Sequence, residues 1–205
     1  MSARAARLFA WLQDADFYRG MHGAAARLLP DGSRTQSWLD VGCGPGILTR
    51  IAAEKGYSAR GIDRDPDMIG MAWRLAAARK SHSTFEVSDI EKAVETGERF
   101  DVVSASSLLV VLPDPAAALR QLASLTKPGG RVLVIEASSK MSRLRALSVI
   151  QSGRLGHRAY MLLAWAAFRS GRTLAAAAFD QPGIRASKYP ILHDLADAWI
   201  VERIL

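Results

Sequence analysis

The feature that most constrains this chain is the glycine-rich turn Asp40-Val41-Gly42-Cys43-Gly44-Pro45-Gly46. The apolar residues 37–41 before it predict a buried strand, and residues 47–55 after it predict a helix. This order places backbone N–H groups and the positive end of a helix beside a ligand. Glycine suits such a turn because a Cβ would block the ligand or resist positive φ. The turn favours a nucleotide-like ligand, although tight strand–helix turns also occur without one.

The rest of the chain alternates strands with helices. Asp65 and Pro66 are a typical start for a helix, with Asp65 as the cap. Such alternation predicts an α/β fold with a doubly wound, mostly parallel sheet. We predict N-terminal helices within residues 3–29 and a helical insertion after the fifth strand. The predicted strands are 37–41, 57–62, 83–87, 100–105, 131–136 and 198–204; the predicted helices are 47–55, 66–80, 115–125 and the insertion 140–178.

Length and composition bound the class of protein. A chain of 205 residues fits one domain. No apolar stretch approaches the roughly 18 residues of a membrane span, and no secretory leader is recognisable. The single cysteine, Cys43, excludes an internal disulfide and a cysteine-based zinc site, so we predict no metal. A cytoplasmic location is expected.

The glycine spacing discriminates between ligands. A dinucleotide turn, G-x-G-x-x-G, requires glycine at position 47, where this chain has Ile47. A carboxylate just before the turn, Asp40, disfavours a pyrophosphate and favours a ligand that carries sulfonium and ammonium groups. Asp63, at the end of the second predicted strand, is suited to accept hydrogen bonds from ribose hydroxyls. The alternative for Asp63 is a helix cap, but Asp65 already fills that position, which leaves Asp63 free for the ligand.

These motifs resemble those of the class I (Rossmann-like) S-adenosylmethionine-dependent methyltransferases. The glycine turn resembles the first motif of that family. Four further stretches follow in the family's order over residues 35–136. They are Gly61-Ile-Asp-Arg-Asp-Pro66, Val87-Ser-Asp-Ile90, Phe100-Asp-Val-Val-Ser-Ala105 with Leu112-Pro-Asp-Pro115, and Lys127-Pro-Gly-Gly-Arg131.

The resemblance implies S-adenosylmethionine as cofactor, in-line transfer of its methyl group to a nucleophile, and S-adenosylhomocysteine as product. It divides the chain into an N-terminal helical cap (1–34), a cofactor-binding core (35–136) and a helical lid or substrate region (137–197). The predicted cofactor-binding residues are Asp40, Gly42, Cys43, Gly44, Gly46, Asp63, Arg64, Met68, Ser88, Asp89, Ile90, Ser104, Ala105 and Ser106.

Two departures from the family pattern affect the expected site. Many members carry a polar pair after the fourth strand, where this chain has Val110-Val111, which suggests an apolar pocket wall. Family sheets usually end with an antiparallel seventh strand, but the pattern here stops after a presumed sixth, at 198–204. Either the seventh strand is absent, or another element covers that edge.

Candidates for catalysis come from the segments expected to cover the cofactor. His22 and Tyr18 lie in the N-terminal helical segment, and His157 and Tyr160 lie in the insertion. Each is a candidate general base or positioning group. The alternative for all four is an ordinary packed or solvated helix residue.

The insertion is both basic and apolar, with seven basic and no acidic residues between Lys140 and Arg172. This pattern favours a lid over a small, apolar acceptor such as a quinone-like, lipid or natural-product molecule, and it is compatible with contact to a membrane surface. A nucleic acid or a protein is a less favoured substrate, because no RNA-binding motif or Asn/Asp-Pro-Pro-Tyr-type motif accompanies it. A cofactor-binding protein without catalysis is the competing class, and a homodimer is left open.

Overall fold

A computed structural model describes residue 11 and residues 15–153, 155–169 and 171–204. These residues form seven strands, seven α-helices and two short 3₁₀ turns, at Leu109–Val111 and Ala176–Phe179. The strands are β1 (Ser37–Val41), β2 (Ser58–Asp63), β3 (Thr84–Val87), β4 (Phe100–Ser106), β5 (Thr126–Ala137), β6 (Ile184–Ile191) and β7 (Ala196–Arg203). The helices are α1 (Asp16–Ala26), α2 (Ile47–Glu54), α3 (Pro66–Ala78), α4 (Ile90–Glu95), α5 (Pro115–Ser124), α6 (Arg143–Gln151) and α7 (Met161–Arg169).

All seven strands join one sheet in the order β3-β2-β1-β4-β5-β7-β6. The first five are parallel, and β7 runs antiparallel to both β5 and β6. The predicted Rossmann-like, mostly parallel sheet is therefore confirmed. Because β4 lies on the opposite side of β1 from β2 and β3, the direction of strand progression reverses between β1 and β4. In open sheets of this kind, ligands bind at such a reversal, outside the carboxyl ends of the strands.

The expectation of a missing or replaced seventh strand is wrong, because Ile184–Ile191 forms β6 at the sheet edge beyond β7. The strand predicted at 198–204 is the inner one, β7. The sequence of β6 hides its conformation, since most of its residues are solvent-exposed and it contains Lys188 and Pro190. Proline and lysine are typical of edge strands, where they discourage pairing with other chains. Residues 137–197, predicted to be a helical region, thus include this strand.

Helices cover both faces of the sheet. One face packs under α1, α2, α6 and α7, and the other packs under α4 and α5. On the first face, Trp165 of α7 contacts the rings of Phe17 and Tyr18 in α1, with centroids 6.3 and 6.0 Å apart. This aromatic contact holds the insertion against the N-terminal helix, so both segments stand beside the carboxyl ends of β1 and β4. No helix within the described ranges is long and apolar enough to cross a membrane.

The N-terminal prediction is only partly covered by the described residues. Helix α1 begins at Asp16 and ends at Ala26, inside the predicted 3–29 segment. Any helix among residues 1–10 or 12–14 lies outside the described residues. Asp65 caps α3 as predicted, because its carboxylate accepts the N–H of Asp67 at 2.9 Å.

Candidate functional site

A cavity of about 950 Å³ opens at the carboxyl ends of the parallel strands. The glycine turn after β1 forms one wall, and residues following β2, β3 and β4 form others. Tyr18 and His22 of α1 and Arg169 of α7 complete the lining. The cavity therefore lies at the reversal between β1 and β4, with the N-terminal helix and the insertion beside it.

The glycines of the turn have different functions. Gly42 and Gly44 have φ of 66° and 53° and line the cavity. A Cβ on Gly42 would approach the Leu108 side chain to 3.0 Å. Gly46, with φ of 76°, lies outside the cavity lining, and a Cβ there would collide with the ring of Phe85. Its place among the predicted cofactor-binding residues is thus not supported; it permits packing between the turn and β3.

Asp63 is not free, contrary to the expectation drawn from the cap at Asp65. Its Oδ2 accepts the N–H of Gly44, and its Oδ1 accepts the N–H of Asp65, both at 2.9 Å. The carboxylate therefore fastens the glycine turn to the end of β2. Each carboxylate oxygen has a second lone pair, and Asp63 lines the cavity, so it retains capacity to accept hydrogen bonds from a ligand.

Asp40 is a buried carboxylate at the cavity wall, only 2% exposed. Its Oδ2 accepts the Thr49 hydroxyl and its Oδ1 accepts the Ser104 hydroxyl, both at 2.8 Å. Burial raises the pKa of Asp40 to about 6, although these two hydrogen bonds act in the opposite direction. Ionising a carboxylate in this buried position is costly, and a bound cation would stabilise its ionised form.

Two predicted residues of β4 lie behind the site. Ser104 and Ala105 are fully buried in the strand and do not line the cavity. Ser104 connects Asp40 to the indole N–H of Trp38, which donates to the Ser104 hydroxyl oxygen at 2.8 Å. Their assignment as direct cofactor ligands is therefore not supported by the geometry, whereas Ser106, at the strand end, does line the cavity.

The remaining predicted residues of the core meet at the other side of the turn. Asp89 caps α4 by accepting the N–H of Lys92 at 2.9 Å, and it also lines the cavity. The thiol of Cys43 is buried, and its pKa is raised by that burial, which fits a packed side chain rather than a nucleophile. The other predicted residues that line the cavity are Arg64, Met68, Ser88 and Ile90.

His22 is buried at the cavity wall and hydrogen-bonded through both nitrogens. Its Nδ1 lies 2.7 Å from the carbonyl oxygen of Tyr18, and its Nε2 lies 2.9 Å from the hydroxyl oxygen of Ser106. A carbonyl only accepts, so Nδ1 carries the proton and the Ser106 hydroxyl donates to Nε2 of the neutral ring. Burial lowers the pKa of His22 to about 4, so the ring is neutral at physiological pH.

The two catalytic candidates from the insertion stand elsewhere. His157 is exposed, and its backbone N–H donates to Asp16 Oδ2 at 2.7 Å. Tyr160 is 57% exposed. Neither lines the cavity, because the turn between α6 and α7 passes over the outside of α1 and is held there by Asp16. The geometry therefore does not support a catalytic role for either.

Sequence reasoning missed Arg169, which it did not distinguish from the other basic residues between Lys140 and Arg172. It is 5% exposed and lines the cavity, and its Nη2 donates to the carbonyl oxygen of Ser107 at 3.0 Å. Its spacing contained the signal, because Leu162, Trp165 and Arg169 follow at i, i+3 and i+7 along one buried helix face. The predicted apolar wall after β4 is present in Leu108, Val111, Leu112 and Pro113.

A family profile that matches most of the chain identifies its family. The sequence profile described as methyltransferase domain matches residues 13–180 of the 205. This chain belongs to the methyltransferase-domain family. The resemblance drawn from the five ordered motifs is thereby confirmed, and the cavity described above is the candidate active site of this methyltransferase domain.

Curated relatives match part of the domain. A ubiquinone biosynthesis O-methyltransferase from Aeromonas salmonicida is 37% identical over 97 residues, covering 47% of this chain and 41% of the relative. The protein of that name from Xanthomonas axonopodis pv. citri is 35% identical over 127 residues, covering 62% and 52%. This methyltransferase domain spans about half the length of the curated relatives that it matches.

Solved structures support the fold. A magnesium protoporphyrin IX methyltransferase from Synechocystis PCC 6803, determined with bound S-adenosylhomocysteine, matches 92% of this chain and 85% of its own. The TM-score is 0.59 at 20% identity. At that identity the likeness concerns the fold of the domain, which is the Rossmann-like fold predicted from the motifs.

Proposed function

We propose that this chain binds S-adenosylmethionine and transfers its methyl group to a small, apolar acceptor. The observation that carries the proposal is that Asp40, Asp63 and Asp89, together with Asp65 and Glu91, line one cavity around a glycine turn, with an apolar wall. The curated relatives are named for O-methylation in ubiquinone biosynthesis, which favours a quinone-like or phenolic acceptor over a nucleic acid or a protein.

The residues present fit this cofactor. Gly42, with a φ of 66°, brings the backbone of the turn to the cavity without a side chain. Asp40 is buried with a raised pKa, which suits it to an ammonium group, and Asp63 has lone pairs for the two ribose hydroxyls. Asp89, Ile90 and Met68 line the same cavity, which suits Asp89 to accept a hydrogen bond from the adenine amine. When bound, S-adenosylmethionine supplies a methyl group on a positively charged sulfur.

A methyl group on a sulfonium is already activated, so the residues of the chain act mainly by positioning the acceptor and excluding water. We infer that Ser106 orients the acceptor. Because its hydroxyl proton is donated to His22, its lone pairs are available to accept a hydrogen bond from an acceptor O–H. His22, with a pKa of about 4, is a weak base, so it fits a positioning role better than that of a general base.

We expect replacement of Ser106 by alanine to lower kcat/KM for a phenolic acceptor by about three- to tenfold, the value of one neutral hydrogen bond. The affinity for S-adenosylhomocysteine should stay unchanged. His22→Leu should lower kcat/KM by a similar factor. The double variant should lower it little further, because both changes remove the hydrogen bond between His22 and Ser106. Initial rates and calorimetry measure these quantities.

The pH–rate profile separates positioning from base catalysis. A neutral His22 does not titrate between pH 5 and 8, so His22→Gln should leave the shape of the profile unchanged in that range. A limb near pH 6 to 7 that disappears in His22→Gln would contradict the positioning role and identify the imidazole as the base.

Contact with a membrane surface is a further part of the proposal, and it would bring a lipophilic acceptor to the cavity. It rests on the insertion, where Leu144 is 82% exposed and Phe168 57% exposed among exposed arginines. We expect flotation with vesicles of anionic lipid at low salt, weakened in Leu144→Asp and unchanged in a control at the far sheet edge, Tyr189→Ser. The absence of flotation by the unaltered protein at low salt would eliminate this contact.

Two measurements test the function itself. Calorimetry with S-adenosylhomocysteine tests the cofactor pocket, and the absence of binding would overturn the proposal. A turnover screen with O-, N-, S- and halide acceptors then separates an enzyme from a cofactor-binding protein that lacks catalysis. Methylation of catechols or hydroxyquinones is the expected result.

A further inference from the structure

Arg169 is a buried cation with donors that no described residue satisfies. The guanidinium carries five N–H donors. Nη2 binds the carbonyl oxygen of Ser107, whereas Nε and Nη1 are buried without a hydrogen-bond partner. Burying charged donors unpaired is unfavourable, so such groups in a native fold usually meet an anion or a polar ligand. Here they belong to a side chain that lines the cavity.

One candidate counter-charge, Glu136, does not satisfy these donors. Glu136, at the end of β5, is 2% exposed and feels the charge of Arg169. However, its Oε1 accepts the backbone N–H of Val110 at 3.3 Å, and its Oε2 has no partner among the described residues. Burial raises the pKa of Glu136 to about 7 in spite of Arg169. The two groups share a buried region without forming an ion pair, so the arginine keeps donors available.

The acidic side chains of the cavity and its buried cation, Arg169, lie at the ends of different strands. Asp89, Asp63 and Asp40 belong to the ends of β3, β2 and β1, whereas Arg169 contacts the residue directly after β4. Among the residues that the structure describes, the other cation in the cavity lining is Arg64, which is solvent-exposed. The acidic side suits the cationic and hydroxyl-bearing parts of a ligand, and the β4 side suits an anionic oxygen.

We propose that Arg169 is the oxyanion-binding residue of this cavity and pairs with a carboxylate or phenolate oxygen of a bound small molecule. This inference rests on the proposed function for the identity of that molecule. Two sources supply the chemistry: the carboxylate of the cofactor's amino-acid part, or an acidic group on the acceptor. A guanidinium is planar and carries several donors in a fixed fork, so it is suited to pair with such oxygens.

Calorimetry on Arg169→Gln tests the inference, with Arg172→Gln as matched control. Arg172 is exposed and stacks on the same ring, Phe168, so it removes a charge from the same helix end without touching the cavity. The probes are S-adenosylhomocysteine, 5′-methylthioadenosine (which lacks the amino-acid part), benzoate and benzamide. Loss of a charge-assisted pair should weaken binding by at least about tenfold.

The two sources of the oxygen predict different changes in the affinities of Arg169→Gln for the four probes. If the cofactor supplies the oxygen, Arg169→Gln weakens S-adenosylhomocysteine but not 5′-methylthioadenosine. If the acceptor supplies it, the variant weakens benzoate but not benzamide and leaves S-adenosylhomocysteine unchanged. In both cases Arg172→Gln behaves as the unaltered protein. A folded Arg169→Gln protein with all four affinities unchanged would overturn the inference.

The unaltered protein provides a test that does not depend on the folding of a variant. It should prefer S-adenosylhomocysteine to 5′-methylthioadenosine or benzoate to benzamide, and absence of both preferences would overturn the inference. Failure of the proposed function gives a different result, because S-adenosylhomocysteine then does not bind. The benzoate arm, measured without cofactor, still reports on Arg169 in that case.

Discussion

Replacing Asp63 with alanine is expected to weaken the binding of S-adenosylhomocysteine by at least about tenfold, the value of one charge-assisted hydrogen bond. The structure makes this a lower bound. Asp63 also accepts the N–H groups of Gly44 and Asp65, so the alanine removes a ligand contact and loosens the glycine turn together. Calorimetry gives the affinity, and thermal denaturation shows whether the protein is folded.

The matched control for Asp63→Ala is Asp114→Ala. Asp114 also accepts a backbone N–H next to a helix start, that of Ala117 at 2.9 Å, but it lies outside the cavity lining. Loss of this cap should cost about 1 kcal/mol of stability and leave the affinity unchanged. If folded Asp63→Ala binds S-adenosylhomocysteine as tightly as the unaltered protein, Asp63 does not contact the ligand and only stabilises the glycine turn.

Asp40→Asn is the second change with a large expected effect, and it should separate binding from stability. At pH 7.5 the carboxylate is mostly ionised, and its loss removes the partner of an ammonium group, for at least about a tenfold loss of affinity. Without added ligand, the melting temperature should be maintained or raised, because burial of the charged form of Asp40 is unfavourable. Asp101→Asn is the control, since that carboxylate binds Ser37 and Lys127 away from the cavity and should affect stability alone.

The pH dependence of binding gives Asp40→Asn a second readout. The pKa of Asp40 is about 6 in the free protein, and a bound cation lowers it. Below pH 6 a proton must therefore leave on binding, so affinity falls as the pH drops through 6, by up to about tenfold per pH unit until the pKa of the complex is reached. This decline should be reduced in Asp40→Asn. An equal decline in both proteins would assign the titration to another group.

The parts of the site that the sequence predicts well are those encoded by neighbouring residues. The turn, its Asp40 and the cap at Asp65 depend on local chemistry, namely positive φ, short side chains and helix starts. The alternation of strands with helices also predicted the mostly parallel sheet, because strands and helices differ in the period of their apolar residues. Strand β6 was not predicted, since an exposed edge strand with Pro190 lacks the apolar alternation that marks a strand.

Other parts of the site depend on which segments the fold brings together. His22 and Ser106 are 84 residues apart and meet only because α1 packs beside the end of β4. The packing of Trp165 against α1 likewise turns Arg169 inward and leaves His157 and Tyr160 outside. The sequence alone does not show these contacts, because periodicity indicates which face of a helix is buried but not which neighbour that face meets.

The sequence by itself determined the family, the sheet and the acidic, glycine-lined side of the cavity, because spacing within short segments dictates those features. Only the tertiary structure decided that Asp63 is engaged by the turn, that Gly46 faces Phe85, and that Arg169 enters the cavity with unpaired donors. The physical reason is that burial and hydrogen-bond partners are set by contacts between distant segments. Those contacts convert one arginine among several into the buried cation of the site.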